Sequence, residues 1–405
     1  MLAKVPAKGP SGGYVMKIRI AALSLAVLGA FTIAIAQVPA PAPQAPAAAP
    51  PPGPGRGAPP PPPPFEFPVG GTDNLSDGDY VIGPEYRPAR ESTLIHANAT
   101  GTKHELVMYA KDSKIYPGRK RKPGYVADPA RAPGGRGNAV PGDVQWVDWP
   151  YEPRHIWVYI PGGYKKGTPL PFIVVQDGRG HQDRFHRVLD NLIAEKKIPP
   201  MAMVAISPGN VPQGQNTTED AQGSQRGYEY DTMSGRYSDF VETEVLPFVT
   251  RELGVVFTKD PEGRATFGGS SGAAAAFSMA WYHPERYRRT ILYSPTFVNQ
   301  QSPVDSETPR GAWEYHATLI PNTPKKPIRI WMQTGEFDNR YQDPEETWHN
   351  WVMAANRTAA ALKARGYNYR YVFSKEGRHV DPRVLDQTLA AAMEYVWQDY
   401  KPAGR

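Results

Sequence analysis

A glycine-flanked serine between an apolar stretch and a run of small residues constrains the fold of this chain more than any other feature. The pattern Gly268-x-Ser270-x-Gly272 follows residues 265–267 and precedes the small, apolar run 271–281. Glycines two positions either side of the serine lack a Cβ, so a strand and a helix can approach closely around a sharp turn. The sequence therefore predicts a strand, a tight turn that holds the Ser270 hydroxyl clear of the backbone, and a buried helix.

This turn has the composition of a nucleophile elbow, and Ser270 is the candidate nucleophile. The backbone N–H of Ser271 would then lie at the N-terminus of the helix, where negative charge is stabilised. A plain glycine- and serine-rich loop is the alternative interpretation, because a bare GxSxG occurs often by chance. The helical pattern that follows the motif favours the elbow.

Strand and helix patterns alternate from residue 155 onward. Short, continuous apolar runs are typical of strands buried on both faces, and the runs between them have helical spacing. The alternation predicts a mostly parallel sheet covered on both faces, with the elbow at its carboxyl edge. Residues 77–148 carry strand and loop signals and, together with the alternating run 155–160, predict an antiparallel edge that leads into the main sheet. The predicted strands are 155–160, 172–176, 201–206, 265–267, 290–293, 328–332 and 369–373, and the predicted helices cover 185–193, 237–253 with a bend near Pro247, 348–365 and 385–397.

Two polar residues follow later strands in the order that a serine hydrolase requires. A serine hydroxyl needs a general base that a third group orients, and in hydrolases of this architecture the chain order is serine, acid, histidine. Asp338 follows the strand 328–332 and is the predicted acid, with Glu336 in reserve; either could instead be a simple turn residue. His379 follows the strand 369–373 and is the predicted base.

The loop after the strand 172–176 is the predicted source of a second oxyanion donor. Its glycines would let backbone N–H groups face a reacting carbonyl, and either Gly178 or Arg179 could supply the donor. Together with the N–H of Ser271, this donor would form the oxyanion hole.

A long polar loop, 208–236, is the predicted substrate-binding segment. Loops of this length inside a compact domain are often functional. Arg226, Glu229 and Tyr230 are the candidate substrate contacts, and a surface salt bridge is the alternative role for Arg226.

The N-terminal region is predicted to direct export. Residues 1–36 have the pattern of a secretory signal, with Lys17 and Arg19 before an apolar stretch and small residues at 34 and 36. Met16 would give this signal a conventional length, and a retained membrane anchor is the alternative. We expect cleavage near Ala36, no stable membrane span afterwards, and a secreted or periplasmic bacterial protein.

Composition divides the remaining chain into three parts. Residues 37–68 are rich in proline and alanine and predict an extended linker that cannot bury a core. Residues 69–154 are expected to form a β and loop extension packed on the catalytic domain. Residues 155–405 are expected to form that domain.

Charge and residue usage exclude several classes of partner. The chain has no cysteine, which excludes disulfides and lipoprotein attachment. The formal charge of +6 includes four basic residues and no acid in 1–36, so about +6 − 4 = +2 remains after cleavage. We therefore expect no nucleic-acid partner, and the basic run 119–122 is interpreted as a solvated loop. Without an HExxH motif and with dispersed histidines, no metal or other cofactor is expected.

These motifs together resemble the enterochelin-esterase-like branch of the α/β-hydrolase esterases, a family that also includes feruloyl and acetylxylan esterases and mycolyltransferases. The resemblance implies an α/β-hydrolase fold with Ser270 as nucleophile, Asp338 as acid and His379 as base. Members often carry glycine where this chain has Ala273, a conservative departure. The motifs are HIWVYIP at 155–161 with Tyr164, VVQDG at 174–178, Tyr237 to Pro247, RATFGGSSG at 264–272, AWYHPERY at 280–287, Gly335 with Asp338, Asn356 with AALKARGY at 360–367, and GRH at 377–379.

The expected function is that of a secreted serine esterase acting on a small-molecule or saccharide ester. A transferase of the mycolyl type is one alternative, since it would use the same three residues and exclude water. A non-catalytic binding protein tethered by the proline-rich segment is the other.

Overall fold

A nine-stranded sheet organises the part of the chain that the structure describes. The computed structural model describes residues 75–401 apart from 94–95, 99, 122–145, 149–152, 210–224 and 301–306. The predicted signal 1–36 and linker 37–68 lie outside the described residues.

The strands are β1 Gly78–Ile82, β2 Thr102–Met108, β3 Arg119–Arg121, β4 Trp146–Asp148, β5 Arg154–Ile160, β6 Phe172–Gln176, β7 Ala202–Ile206, β8 Arg264–Gly269, β9 Arg289–Tyr293, β10 Arg329–Phe337 and β11 Asn368–Arg378. The α-helices are α1 Arg90–Thr93, α2 Gly178–Ala194, α3 Gln225–Tyr230, α4 Arg236–Phe240, α5 Leu246–Leu253, α6 Ser271–Tyr282, α7 Ile320–Asn322, α8 Trp351–Ala364 and α9 Pro382–Trp397. Two π-helical turns, Val241–Val245 and Tyr315–Leu319, precede α5 and α7.

The strand order places two turns of the chain side by side at the carboxyl edge. The order is β1-β11-β10-β9-β8-β6-β7-β5-β2, and neighbours from β1 to β7 are parallel. From β6 the chain proceeds outward to β7, whereas β8 lies on the other side of β6. In open α/β sheets a crevice forms where the strand order diverges in this way. The turns that follow β6 and β8 therefore meet at this crevice.

Each face of the sheet is covered by its own hydrophobic layer. In β6, Phe172 and Val174 belong to one layer, and Ile173 and Val175 belong to the other, as side chains on a strand alternate. Helices α6 and α8 cover the first face, and α2 and α9 cover the second. This arrangement confirms the prediction of a mostly parallel sheet covered on both faces.

The N-terminal strands complete both edges of the sheet. Strands β2 and β5 form the antiparallel edge expected from the sequence. Strand β1 lies at the opposite edge instead, parallel to β11, where Tyr369 and Tyr395 donate hydrogen bonds to Asp79 and Asp77. Strands β1 and β2 of the predicted extension 69–154 are thus part of the main sheet, whereas β3 and β4 form a separate two-stranded sheet. Residues 119–121, expected in a solvated loop, form β3 and pair with β4.

A buried ion pair anchors a helix that the sequence pattern did not indicate. Helix α3 lies within the segment predicted as a loop. Its Glu229 receives two hydrogen bonds from Arg154 at the start of β5, at 2.7 and 2.5 Å, and both side chains are fully buried. Gln225 and the N–H of Gly209 also donate to this carboxylate. The pair therefore fixes α3 against the sheet.

Replacing Glu229 by glutamine is expected to lower the free energy of unfolding by about 3–5 kcal/mol, because the Arg154 charge would stay buried without its partner. Denaturant unfolding measures the change. A matched control is Glu345→Gln, which breaks the more exposed Glu345–Arg357 pair and should change stability by less than about 1 kcal/mol. Equal effects of the two variants would contradict this interpretation.

Candidate active site

Ser270 occupies a strained turn between β8 and α6. Its φ of 59° and ψ of −129° are rarely adopted by residues other than glycine. The Ser270 N–H donates to the Tyr293 carbonyl oxygen at 2.9 Å, and the Ser270 carbonyl accepts from the N–H of Thr296 at 3.2 Å. A Cβ on Gly268 would overlap the carbonyl group of Gly272, so the turn requires glycine there.

A line of hydrogen bonds joins Ser270 to His379 and Asp338. The Ser270 Oγ lies 2.9 Å from Nε2 of His379, and Nδ1 of the same ring lies 2.5 Å from Oδ1 of Asp338. Asp338 is 1% exposed and also accepts from the N–H of Asn339 at 2.7 Å. An ionised carboxylate only accepts hydrogen bonds, so Nδ1 carries the proton and Nε2 is left to accept from the serine hydroxyl.

The acid and the histidine leave neighbouring strands at the same level. Strands β10 and β11 continue past residues 332 and 373, where the sequence pattern ends them, because their glycines allow close pairing. A Cβ on Gly335 would overlap the carbonyl of Gly377. The last residues of the strands, Phe337 and Arg378, are paired. Asp338 directly follows β10 and His379 directly follows β11, so the two side chains begin next to each other.

Two contacts hold the histidine loop in place. The Ser294 hydroxyl accepts from the N–H of Val380 at 2.8 Å. The Trp351 ring packs edge-on against His379, with centroids 6.0 Å apart. Both contacts fix the imidazole on the side facing β9 and α8.

Two helix N-termini meet beside Ser270. Helix α2 begins at Gly178 and α6 begins at Ser271, and neither cap residue makes a side-chain capping hydrogen bond. The first N–H groups of a helix have no acceptor within it, so the N–H groups of Gly178, Arg179 and Ser271 are available to a ligand. A Cβ on Gly272 would lie 2.8 Å from Oδ2 of Asp177, so the two turns are in close contact. Arg179, the other candidate donor, is the second residue of α2.

Helix α3 holds the turn that begins α2. Arg226 donates two hydrogen bonds to Asp177, at 2.9 and 2.7 Å, and the Tyr230 hydroxyl accepts from the Asp177 N–H at 3.2 Å. Burial raises the pKa of Tyr230 well above its ordinary value, so the phenol stays neutral. Both residues therefore support the candidate oxyanion turn.

Among the residues that the structure describes, Glu229 is buried in an ion pair. The residue is 1% exposed, and its carboxylate oxygens face Arg154, Gln225 and Gly209. The Glu229 carboxylate is therefore occupied by an ion pair and two further hydrogen bonds, and its contact with substrate stays a prediction.

A second buried carboxylate contacts the elbow helix. Oδ2 of Asp231 accepts from the Ser271 hydroxyl at 3.1 Å and from the Gln300 amide at 3.2 Å. Burial raises the pKa of Asp231 to about 6. The sequence placed Asp231 only within the loop expected to shape the substrate pocket. Its contact with Ser271, forty positions along the chain, appears only in the fold.

Within the described ranges, no group of three or more histidine, aspartate and glutamate side chains could hold a metal ion. None of the helices in this same part of the chain is both long and apolar enough to cross a membrane.

The sheet order, the elbow after β8 and the hydrogen-bonded serine, histidine and aspartate define an α/β-hydrolase. The chain belongs to the esterase family whose sequence model, described as "Putative esterase", matches residues 150–390. No curated protein matches the sequence.

Several solved structures, esterases among them, are similar to this chain. The enterobactin esterase from Shigella flexneri is 19% identical with a TM-score of 0.42, and the match covers 61% of this chain and 56% of that protein. The chain thus spans little more than half the length of this relative. A ferulic acid esterase is 14% identical with a TM-score of 0.48, covering 74% and 99% of the two chains. The BES protein from Bacillus cereus is 14% identical with a TM-score of 0.45, covering 75% and 98%.

Replacing Gly268 by alanine is expected to destabilise the chain by about 3 kcal/mol or more, since the new Cβ meets backbone atoms that cannot move aside. Gly180 in α2 is the matched control: a Cβ there contacts nothing within 4 Å, and Gly180→Ala should raise stability by about 0.5 kcal/mol. Thermal unfolding distinguishes the two. A Gly268→Ala variant as stable as the wild type would contradict the close approach of strand and helix.

Proposed function

We propose that the chain hydrolyses a carboxylic ester through an acyl-enzyme formed on Ser270. The observation that carries the proposal is the continuous line of hydrogen bonds from Asp338 through His379 to the Ser270 hydroxyl. A serine is activated as a nucleophile by just such an oriented base.

In the first half of the reaction, Ser270 Oγ forms a bond to the ester carbonyl carbon while its proton passes to Nε2 of His379. The negative charge that develops on the carbonyl oxygen is stabilised by the N–H of Ser271 and by the N–H of Gly178 or Arg179. Asp338 stabilises the imidazolium and holds the ring in the right tautomer. The intermediate then collapses, the ester C–O bond breaks, and the alcohol leaves with the proton from His379.

In the second half, His379 takes a proton from water, and the resulting hydroxyl attacks the acyl carbon. Collapse of the second intermediate releases the acid and returns the proton to Ser270. Arg226 and Tyr230 support the turn before Gly178, so they act on this chemistry through the donor geometry.

The proposed substrate is a small-molecule or saccharide ester, in keeping with the family. We also propose that residues 1–36 direct export and are removed, that 37–68 act as a spacer, and that the protein works outside the bacterial cytoplasm. Intact-mass measurement of the protein recovered from a periplasmic fraction tests the cleavage at Ala36.

Ser270→Ala is expected to lower kcat for p-nitrophenyl esters by at least about 10⁴-fold, and Asp338→Asn by about 10⁴-fold through the wrong imidazole tautomer. The control is Ser278→Ala, which removes a buried hydroxyl of the same helix that bonds Tyr315. This variant should keep its activity. Wild-type turnover by Ser270→Ala would contradict the proposal, and addition of an alcohol acceptor would reveal acyl transfer in place of hydrolysis.

A further inference from the structure

Helix α3 and the next residue, Asp231, contact both turns that carry candidate oxyanion donors, one before α2 and one before α6. Arg226 and Tyr230 bond Asp177 before α2, and Asp231 bonds Ser271 at the start of α6. The Arg154–Glu229 pair fixes the same helix to the sheet. One anchored element therefore sets the relative position of the two turns.

Asp231 contacts Ser271 through a carboxylate, although a neutral side chain would be enough for packing. Asp231 is 6% exposed, its Oδ2 accepts from two donors, and its Oδ1 is buried with no hydrogen-bond partner in the described part of the chain. The charged neighbours are Arg226 on the same helix and Asp177 from the turn after β6. A buried carboxylate with a bare oxygen lowers stability, which argues for a role in function.

We infer that Asp231 is a positioning residue for the oxyanion hole: its hydrogen bond to the Ser271 hydroxyl fixes the orientation of the Ser271 peptide, whose N–H faces the developing oxyanion. This inference rests on the proposed function, since it assumes attack by Ser270. A hydrogen bond to a carboxylate is stronger than one to a neutral acceptor, so the charge tightens the link.

The expected kinetic effect is confined to turnover. Oxyanion donors act on charge that exists only in the transition state, so loosening one lowers kcat and leaves KM unchanged. Complete loss of a donor lowers kcat by about 10²–10³-fold. The Asp231→Ala variant keeps the Ser271 N–H but no longer fixes its orientation. We therefore expect kcat to fall about tenfold.

Asp231→Asn is the conservative variant. Its amide oxygen can accept from the same two donors, so it should recover most of the lost kcat. It also removes the buried charge, so it should fold at least as well as the wild type at pH 8. This variant separates a loss of orientation from a loss of folded protein.

The decisive experiment is a double-variant cycle with p-nitrophenyl acetate. If Asp231 acts through the Ser271 hydroxyl, Ser271→Ala lowers kcat about as much as Asp231→Ala, and the double variant is no slower than either alone. Ser278→Ala controls for loss of a buried hydroxyl from α6 and should keep the wild-type kcat.

Three results would overturn the inference: multiplied losses in the double variant, a raised KM with unchanged kcat in Asp231→Ala, or wild-type kinetics in that variant. If Ser270→Ala is inactive, each of these results contradicts the inference about Asp231 but not the proposed function. An active Ser270→Ala variant would instead contradict the proposed function.

Discussion

The close contact between the backbones of Gly268 and Gly272 is the constraint on which the site depends. It allows β8 to enter α6 without an intervening loop, and it forces Ser270 into a positive φ. The hydroxyl is thereby presented at the end of the sheet, while the next N–H points from the helix terminus. Strain at one residue is balanced by fully buried strands and helices on either side.

Parallel strands then bring the remaining groups to that hydroxyl. Because β6, β8, β10 and β11 all run in the same direction, the residues that follow them gather at one edge of the sheet. Paired strand ends place Asp338 and His379 side by side, and the divergence of the strand order puts the α2 turn next to the elbow. The site is therefore a consequence of topology as much as of local sequence.

The sequence singled out Ser270, Asp338 and His379, which the structure brings into hydrogen-bond contact, because chain order and strand placement constrain those positions strongly. It ended β10 and β11 too early, since the polar residues after 332 and 373 resemble loops until Gly335 is known to pack against Gly377.

Helix α3 was missed for a different reason. Its residues, QRGYEY, have no helical apolar spacing, and an ion pair with Arg154, 75 positions away, anchors it to the sheet. The position of β1 was missed as well, because nothing local distinguishes one edge of a sheet from the other. Long-range pairing decided both features.

The most direct test of the central claim is to trap the acyl-enzyme. The protein is reacted with a fluorophosphonate or a slowly hydrolysed ester, digested, and the modified peptide is sequenced by mass spectrometry. A single adduct on Ser270, absent when His379 is replaced by alanine, is the predicted result. An adduct on Ser271 or elsewhere, or none while the protein still turns over esters, would contradict the account.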